Sequence, residues 1–208
     1  MERTGTSRSW ESDQVASTAL LVMDVQGNIV ERFAGDTEYL PRLASAIAAA
    51  RGAGIPVIYV TVAFRPGYPE ASARNKTFST IAGTGRFIEG SDSTRVHPAV
   101  APLPGEVTVT KRRVSAFAGN DLDVILRAGG ITHLVLAGIA TSGVVLSTLR
   151  QAADLDYELT VLSDGCLDAD AEVHRVLTEK IFPRQAEVVT IEEWADRDEH
   201  RLPGQLDR

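Results

Sequence analysis

Six short apolar runs punctuate the chain: Ala19–Met23, Val57–Val62, Val107–Thr110, Leu134–Ala137, Leu159–Leu162 and Glu187–Thr190. Most are rich in Val, Ile and Leu and show little polar alternation. Strands covered on both faces of a parallel sheet leave that pattern. Between the runs, apolar residues recur three or four apart. Asp36 can cap a helix whose inner face carries Leu40, Leu43 and Ile47, with Gly52 or Gly54 ending it. Leu122, Ile125 and Leu126 mark a second helix, stopped by Gly129-Gly130. Val145, Leu149 and Ala152 mark a third. Val173, Val176, Leu177 and Ile181 mark a fourth, which ends before Pro183. Alternating strands and helices predict a three-layer α/β/α sandwich around a doubly wound, Rossmann-like parallel sheet. Ala63–Glu106 does not fit the alternation. It is long, weakly periodic and rich in Gly, Pro, Ser and Arg, so it is expected as a loop that serves a site.

Composition narrows the picture. At 208 residues, 44% hydrophobic and 24% charged, the chain is of ordinary globular make-up and long enough for a full core. Residues 18–198 are expected as a single domain, 1–17 as a flexible polar arm and 199–208 as a tail. The longest stretch without a charge, Ile131–Leu149, is interrupted by His133, Thr141, Ser142 and Ser147, which argues against a membrane span. The first residues lack the apolar core of a secretory leader. A net charge of −7 without a lysine-rich stripe argues against nucleic acid. The one cysteine, Cys166, has no partner for an internal disulfide. A reduced, cytoplasmic protein is the expectation.

Ligands of such sheets bind outside the carboxyl ends of the strands. The residues that end the strands are therefore the first candidates. The first run continues into Met23-Asp24-Val25-Gln26, which sets a carboxylate at the lip of the sheet. The third ends at Lys111. The fourth passes through Gly138-Ile139-Ala140-Thr141-Ser142-Gly143 straight into a helix, where small side chains let a ligand approach backbone N–H groups. Each has a plainer explanation: an Asx-turn, a solvated lysine and a tight packing turn. The fold, however, brings all three to one edge.

The segments LLVMDVQ, TKRRVSAFAGNDLDVILRAGG and LVLAGIATSGVVLSTLRQAADLDYELTVLSDGCLD resemble the isochorismatase-like (cysteine hydrolase) superfamily, over roughly residues 18–192. The resemblance implies a six-stranded sheet of order 3-2-1-4-5-6 and a homodimer or higher homo-oligomer. It also implies a catalytic Asp at Asp24, a Lys at Lys111 and a non-proline cis bond between Ile139 and Ala140. It departs where the superfamily's nucleophilic cysteine belongs, because that position holds Val144. An isopropyl group cannot attack a carbonyl, so the covalent thioester route of the superfamily's amidases is closed there. Cys166, in LSDGC, reads as a small buried residue. Ser142 reads as a helix cap.

Isochorismatases proper work without a thiol. They cleave a vinyl ether by protonating its terminal carbon, and a carboxylic acid is the tool. Asp24 is the expected proton donor and Lys111 its orienting partner. A neighbouring ammonium favours the ionised carboxylate, so burial has to outweigh it. A carboxylated substrate needs cations. Arg65 is the first candidate and Arg74 the second, from AFRPGYPEASARNKTF, while Lys76 reads as solvated. Phe33, Phe64 and Phe117 are expected as pocket walls, with Gln26, Ile139, Ala140, Gly143 and Val144 completing the substrate-binding set. Thr61–Arg65 offers no Asp-x-His pair and the four histidines are scattered, so no metal is expected. No cofactor is expected either, since no glycine-rich phosphate loop follows a strand. The leading expectation is an acid-catalysed hydrolase of a small anionic substrate such as isochorismate. The alternatives are a catalytically silent metabolite-binding or assembly protein, and an amidase with another nucleophile.

Overall fold

A computed structural model describes residues 17–33 and 35–199. Apart from Ser17 and Glu199, the expected arm and tail lie outside the described residues. Six strands form one sheet: β1 (Ser17–Met23), β2 (Val57–Val62), β3 (Val107–Lys111), β4 (Ile131–Ile139), β5 (Glu158–Leu167) and β6 (Glu187–Val189). All neighbours are parallel, and the order is β3-β2-β1-β4-β5-β6. The helices are α1 (Gly27–Val30), α2 (Tyr39–Gly52), α3 (Lys76–Thr84), α4 (Leu122–Ala128), α5 (Leu146–Asp154), α6 (Ala171–Val176) and α7 (Ile191–Glu199).

The two-residue period of a strand sorts side chains to the two faces. On β1, Leu20 and Val22 face one layer. They pack with Leu43, Ala46 and Ile47 of α2 and Trp194 of α7. Leu21 and Met23 face the other, against Leu122 and Leu126 of α4 and Leu149 and Ala152 of α5. Burying each such aliphatic side chain is worth about 1.5–3 kcal/mol, so continuous apolar strands hold both helix layers.

The largest departure from expectation is inside Ala63–Glu106. It contains α3, capped by Asn75, whose Oδ1 accepts the Phe78 N–H at 3.1 Å, and ended by Gly85 in the left-handed region. Short 3-10 turns follow at Asp92–Thr94 and Pro98–Val100. Asp36 does not cap α2 directly. It sits two residues ahead, where its Oδ1 accepts the Glu38 N–H at 3.0 Å and its Oδ2 meets Arg42 at 2.6 Å. α5 is entered through a π-helical turn, Thr141–Val145, and α6 runs on through another, Leu177–Ile181.

Gly138 marks where β1 and β4 approach most closely. Its φ is +149°, and a Cβ there would stand 2.2 Å from the Met23 carbonyl oxygen. Gly138→Ala should therefore lower stability by about 3 kcal/mol, read as a fall in the denaturant midpoint. Gly52→Ala, where a Cβ meets nothing within 4 Å, should leave the midpoint unchanged or raise stability by up to about 1 kcal/mol.

Candidate active site

The chain leaves β1 through Asp24, whose φ of +57° is left-handed and whose N–H donates to the Val60 carbonyl at 2.8 Å. Asp tolerates this conformation better than most residues. Lys111 closes β3. Its Nζ stands 2.8 Å from Asp24 Oδ2 and donates to the Arg113 carbonyl at 3.1 Å. β2 lies between β1 and β3, so the pair spans the end of β2. Both side chains are buried, yet among the described residues Asp24 Oδ1 has no hydrogen-bond partner. Burial pushes the Asp24 carboxyl above the usual carboxylate range. The Lys111 ammonium, by charge and by hydrogen bond, pulls the other way and is outweighed.

The pair faces a cavity of about 410 Å³. Its floor is Asp24, Lys111 and Val62. One wall is Ile139, Ala140, Gly143 and Val144, from the end of β4 and the turn into α5. The other is Thr77, Phe78, Thr80, Ile81 and Thr84 of α3, followed by Arg86 and Phe87. Ile29, Arg32, Arg113 and Val114 complete the lining. The Ile139–Ala140 peptide bond is cis.

Of the residues expected from sequence, the structure brings together Asp24, Lys111, Ile139, Ala140, Gly143 and Val144. It places six others away from this lining. The Gln26 amide is consumed as a substitute strand neighbour: it accepts from the Val62 N–H at 2.8 Å and donates to the Val62 and Thr94 carbonyls. Phe33 packs onto the core beneath α2. Arg65 points outward, 59% exposed, and pairs with Glu70 at 2.5 Å. Arg74 is exposed in the turn before α3. Phe117 is buried on the α4–α5 face, its ring 5.8 Å from that of Tyr157. Phe64 is also buried away from the lining, with Phe78 5.7 Å above it. The aromatic walls are Phe78 and Phe87, and the cations are Arg32, Arg86 and Arg113. Two features of the sequence could have pointed there: Asn75 and Gly85 as ends of a helix, and Arg113 two residues beyond Lys111.

The cavity has no thiol. Cys166, the only cysteine in the chain, is buried elsewhere with Sγ 3.9 Å from the Leu136 carbonyl. Burial pushes its thiol up to about 12. Thr141 Oγ1 lies 2.8 Å from His174 Nδ1, but Thr141 is fully buried and does not line the cavity. Ser142 is not a side-chain cap. Its backbone N–H donates to Asp168 Oδ2 at 2.7 Å. Among the described residues no group of three or more His, Cys, Asp or Glu could hold a metal ion, and no helix is long and apolar enough to cross a membrane.

The isochorismatase domain model matches residues 18–193. The chain belongs to the isochorismatase family. The ureidoacrylate amidohydrolase RutB of Methylobacterium radiotolerans is 36% identical over an alignment of 183 positions that covers 77% of this chain and 71% of that one. The isochorismatase family protein YecD of Escherichia coli O157:H7 is 34% identical, over 85% of this chain and 94% of its own. Among solved structures, an isochorismatase family protein from Burkholderia thailandensis superposes with a TM-score of 0.75 at 29% identity, over 88% of this chain and 96% of that one. The chain is thus an isochorismatase-family hydrolase with an acid, an amine and a branched hydrocarbon at its candidate centre.

Val144→Cys probes that centre. Iodoacetamide should label the variant and leave the parent unlabelled at neutral pH, because Cys166 is buried and protonated. Equal labelling of both would place residue 144 away from the cavity.

Proposed function

We propose that the chain hydrolyses a small anionic substrate by acid catalysis from Asp24, with no covalent intermediate. A vinyl ether of the isochorismate type is the leading candidate. One observation carries the reading: a buried carboxyl with a raised pKa and one unpaired oxygen lines a cavity that contains no thiol. The two carboxyl oxygens divide the work. Oδ1 holds the proton toward the substrate, and Oδ2 rests on the Lys111 ammonium, which stabilises the carboxylate left behind. Protonation of the terminal vinyl carbon places positive charge on the ether-bearing carbon. Water adds there and returns a proton, and the hemiketal collapses to a ketone and an alcohol. The RutB relative is named for hydrolysis of a C–N bond. A thiol-based route to such a bond has no nucleophile here, since Val144 stands at the turn.

Support for an anionic substrate comes from charge. Arg32, Arg86 and Arg113 line the cavity, and none has a carboxylate partner among the described residues. The apolar Val144 also favours a second reading, a binding protein without turnover. Incubation with isochorismate and with a panel of small amides, followed by mass spectrometry, separates the two. Pyruvate should appear with the parent chain, and Asp24→Asn should lower its rate by about 10²–10⁴-fold. Amide turnover that survives Asp24→Asn would overturn the proposal. Metabolite binding without any turnover would establish the second reading instead.

The pH dependence has a definite sign. The working form is protonated Asp24, so kcat should fall as pH rises through its elevated pKa. Lys111 lowers that pKa, so Lys111→Met should move the falling limb to higher pH while reducing the maximum rate. A limb that moved to lower pH would contradict the assignment.

A further inference from the structure

Arg65 and Arg74 do not line the cavity, and three other arginines do. Arg86 follows the left-handed Gly85 that ends α3, and it is half-buried. Its Nη2 donates to both the carbonyl and the Oδ1 of Asn28, at 3.2 and 3.3 Å. Its guanidinium carbon lies 5.3 Å from the centre of the Phe87 ring. Phe87 is itself in the left-handed region, with φ +62°, and its carbonyl accepts the Phe64 N–H at 2.7 Å. The guanidinium is thus held on two sides while its Nε and Nη1 have no partner among the described residues. Arg32 stands four residues after Asn28 along a continuous helical run, Gly27–Val30 followed by Glu31–Phe33. Residues four apart share a helix face, so Arg32 rises on the same side as Asn28. It too lines the cavity and has no partner among the described residues.

A cation anchored by an amide and an aromatic ring, with N–H donors left over, is preorganised to donate to a planar anion. We propose that Arg86, with Arg32 beside it, is the specificity-determining element of the cavity and binds a substrate carboxylate that is not part of the reacting bond. This rests on the function proposed above and adds to it: the pair selects substrates by charge, independently of the proton delivered by Asp24. Neighbouring Phe87, Phe78 and Ile81 supply an apolar surface for the carbon body of such a substrate.

Binding separates this proposal from the catalytic one. Titration calorimetry would use benzoate, benzene-1,3-dicarboxylate and neutral benzamide as probes. The parent should bind both anions and prefer them to benzamide. Arg86→Gln should weaken the anions by about tenfold or more and leave benzamide unchanged. Arg32→Gln, at an exposed position, should weaken them less, and Arg65→Gln should have no effect. Anion binding unaffected by both Arg86→Gln and Arg32→Gln would overturn the assignment, as would benzamide binding equal to that of the anions. If isochorismate is turned over, Arg86→Gln should raise KM, with kcat and the falling pH limb unchanged. If nothing is turned over but the calorimetric pattern holds, the anion site stands and the acid-catalysis proposal fails alone.

Discussion

The rest of the site depends on one ion pair that reaches across a strand. Asp24 and Lys111 end β1 and β3, and β2 separates them in the sheet. Their contact requires β1 to end in a left-handed turn and β3 to run on to Lys111, level with Val62 at the end of β2. Burying an acid beside an ammonium costs free energy that their mutual hydrogen bond has to offset, and the proton that Asp24 carries in the proposed working form lowers that cost. The offset here is incomplete, because Asp24 Oδ1 is left without a partner. Glu70 and Asp123 also leave one carboxyl oxygen unpaired, but neither lines the cavity; beside the cavity, the unpaired Asp24 oxygen marks a position that a ligand can complete.

The fold supplies the remaining walls through its switch point. β1 and β4 are neighbours at the centre of the sheet, and the chain leaves them toward different layers. The opening between their carboxyl ends holds Asp24 on one side and the Ile139–Val144 turn on the other. Gly138 permits the close approach of β4 to Met23 just before that turn. α3 then covers the opening from the β2–β3 connection. Phe78 on α3 packs onto Phe64, with ring centres 5.7 Å apart, which ties the cover to the sheet.

The strands were legible because burial on both faces writes continuous apolar runs into the sequence. The limits of β4 and β5 were less so. β4 begins at Ile131, three residues earlier than its apolar run, because Thr132 and His133 interrupt the pattern. β5 continues past Ser163, Asp164 and Gly165 to Leu167. α3 was hidden because its nine residues bury one large side chain, Phe78, and its other positions are small, polar or half-exposed. Asn75 and Gly85 were the readable marks of its ends. Asp24 and Lys111 were legible as strand-end residues, since position along a parallel strand determines which edge a residue reaches. The arginines were not, because their placement depends on long-range contacts. Arg65 was drawn outward by Glu70, five residues on, whereas Arg86 was held at the cavity by Asn28, 58 residues away in sequence.

A cavity lined by a hydrocarbon at the turn and holding no thiol sets what its acid has to do. A carboxyl that activates a thiol must begin ionised, so that it can take the thiol proton. A carboxyl that protonates carbon must begin with the proton in place. Desolvation penalises the charged form, and an apolar side chain at position 144 adds no dipole to relieve it. Val144, 2% exposed in the lining, offers no nucleophile and adds to the apolar surroundings whose burial raises the Asp24 pKa. Both effects suit the proposed chemistry: addition of water after proton transfer, with the carboxyl as acid and the lysine as the counter-charge to its conjugate base.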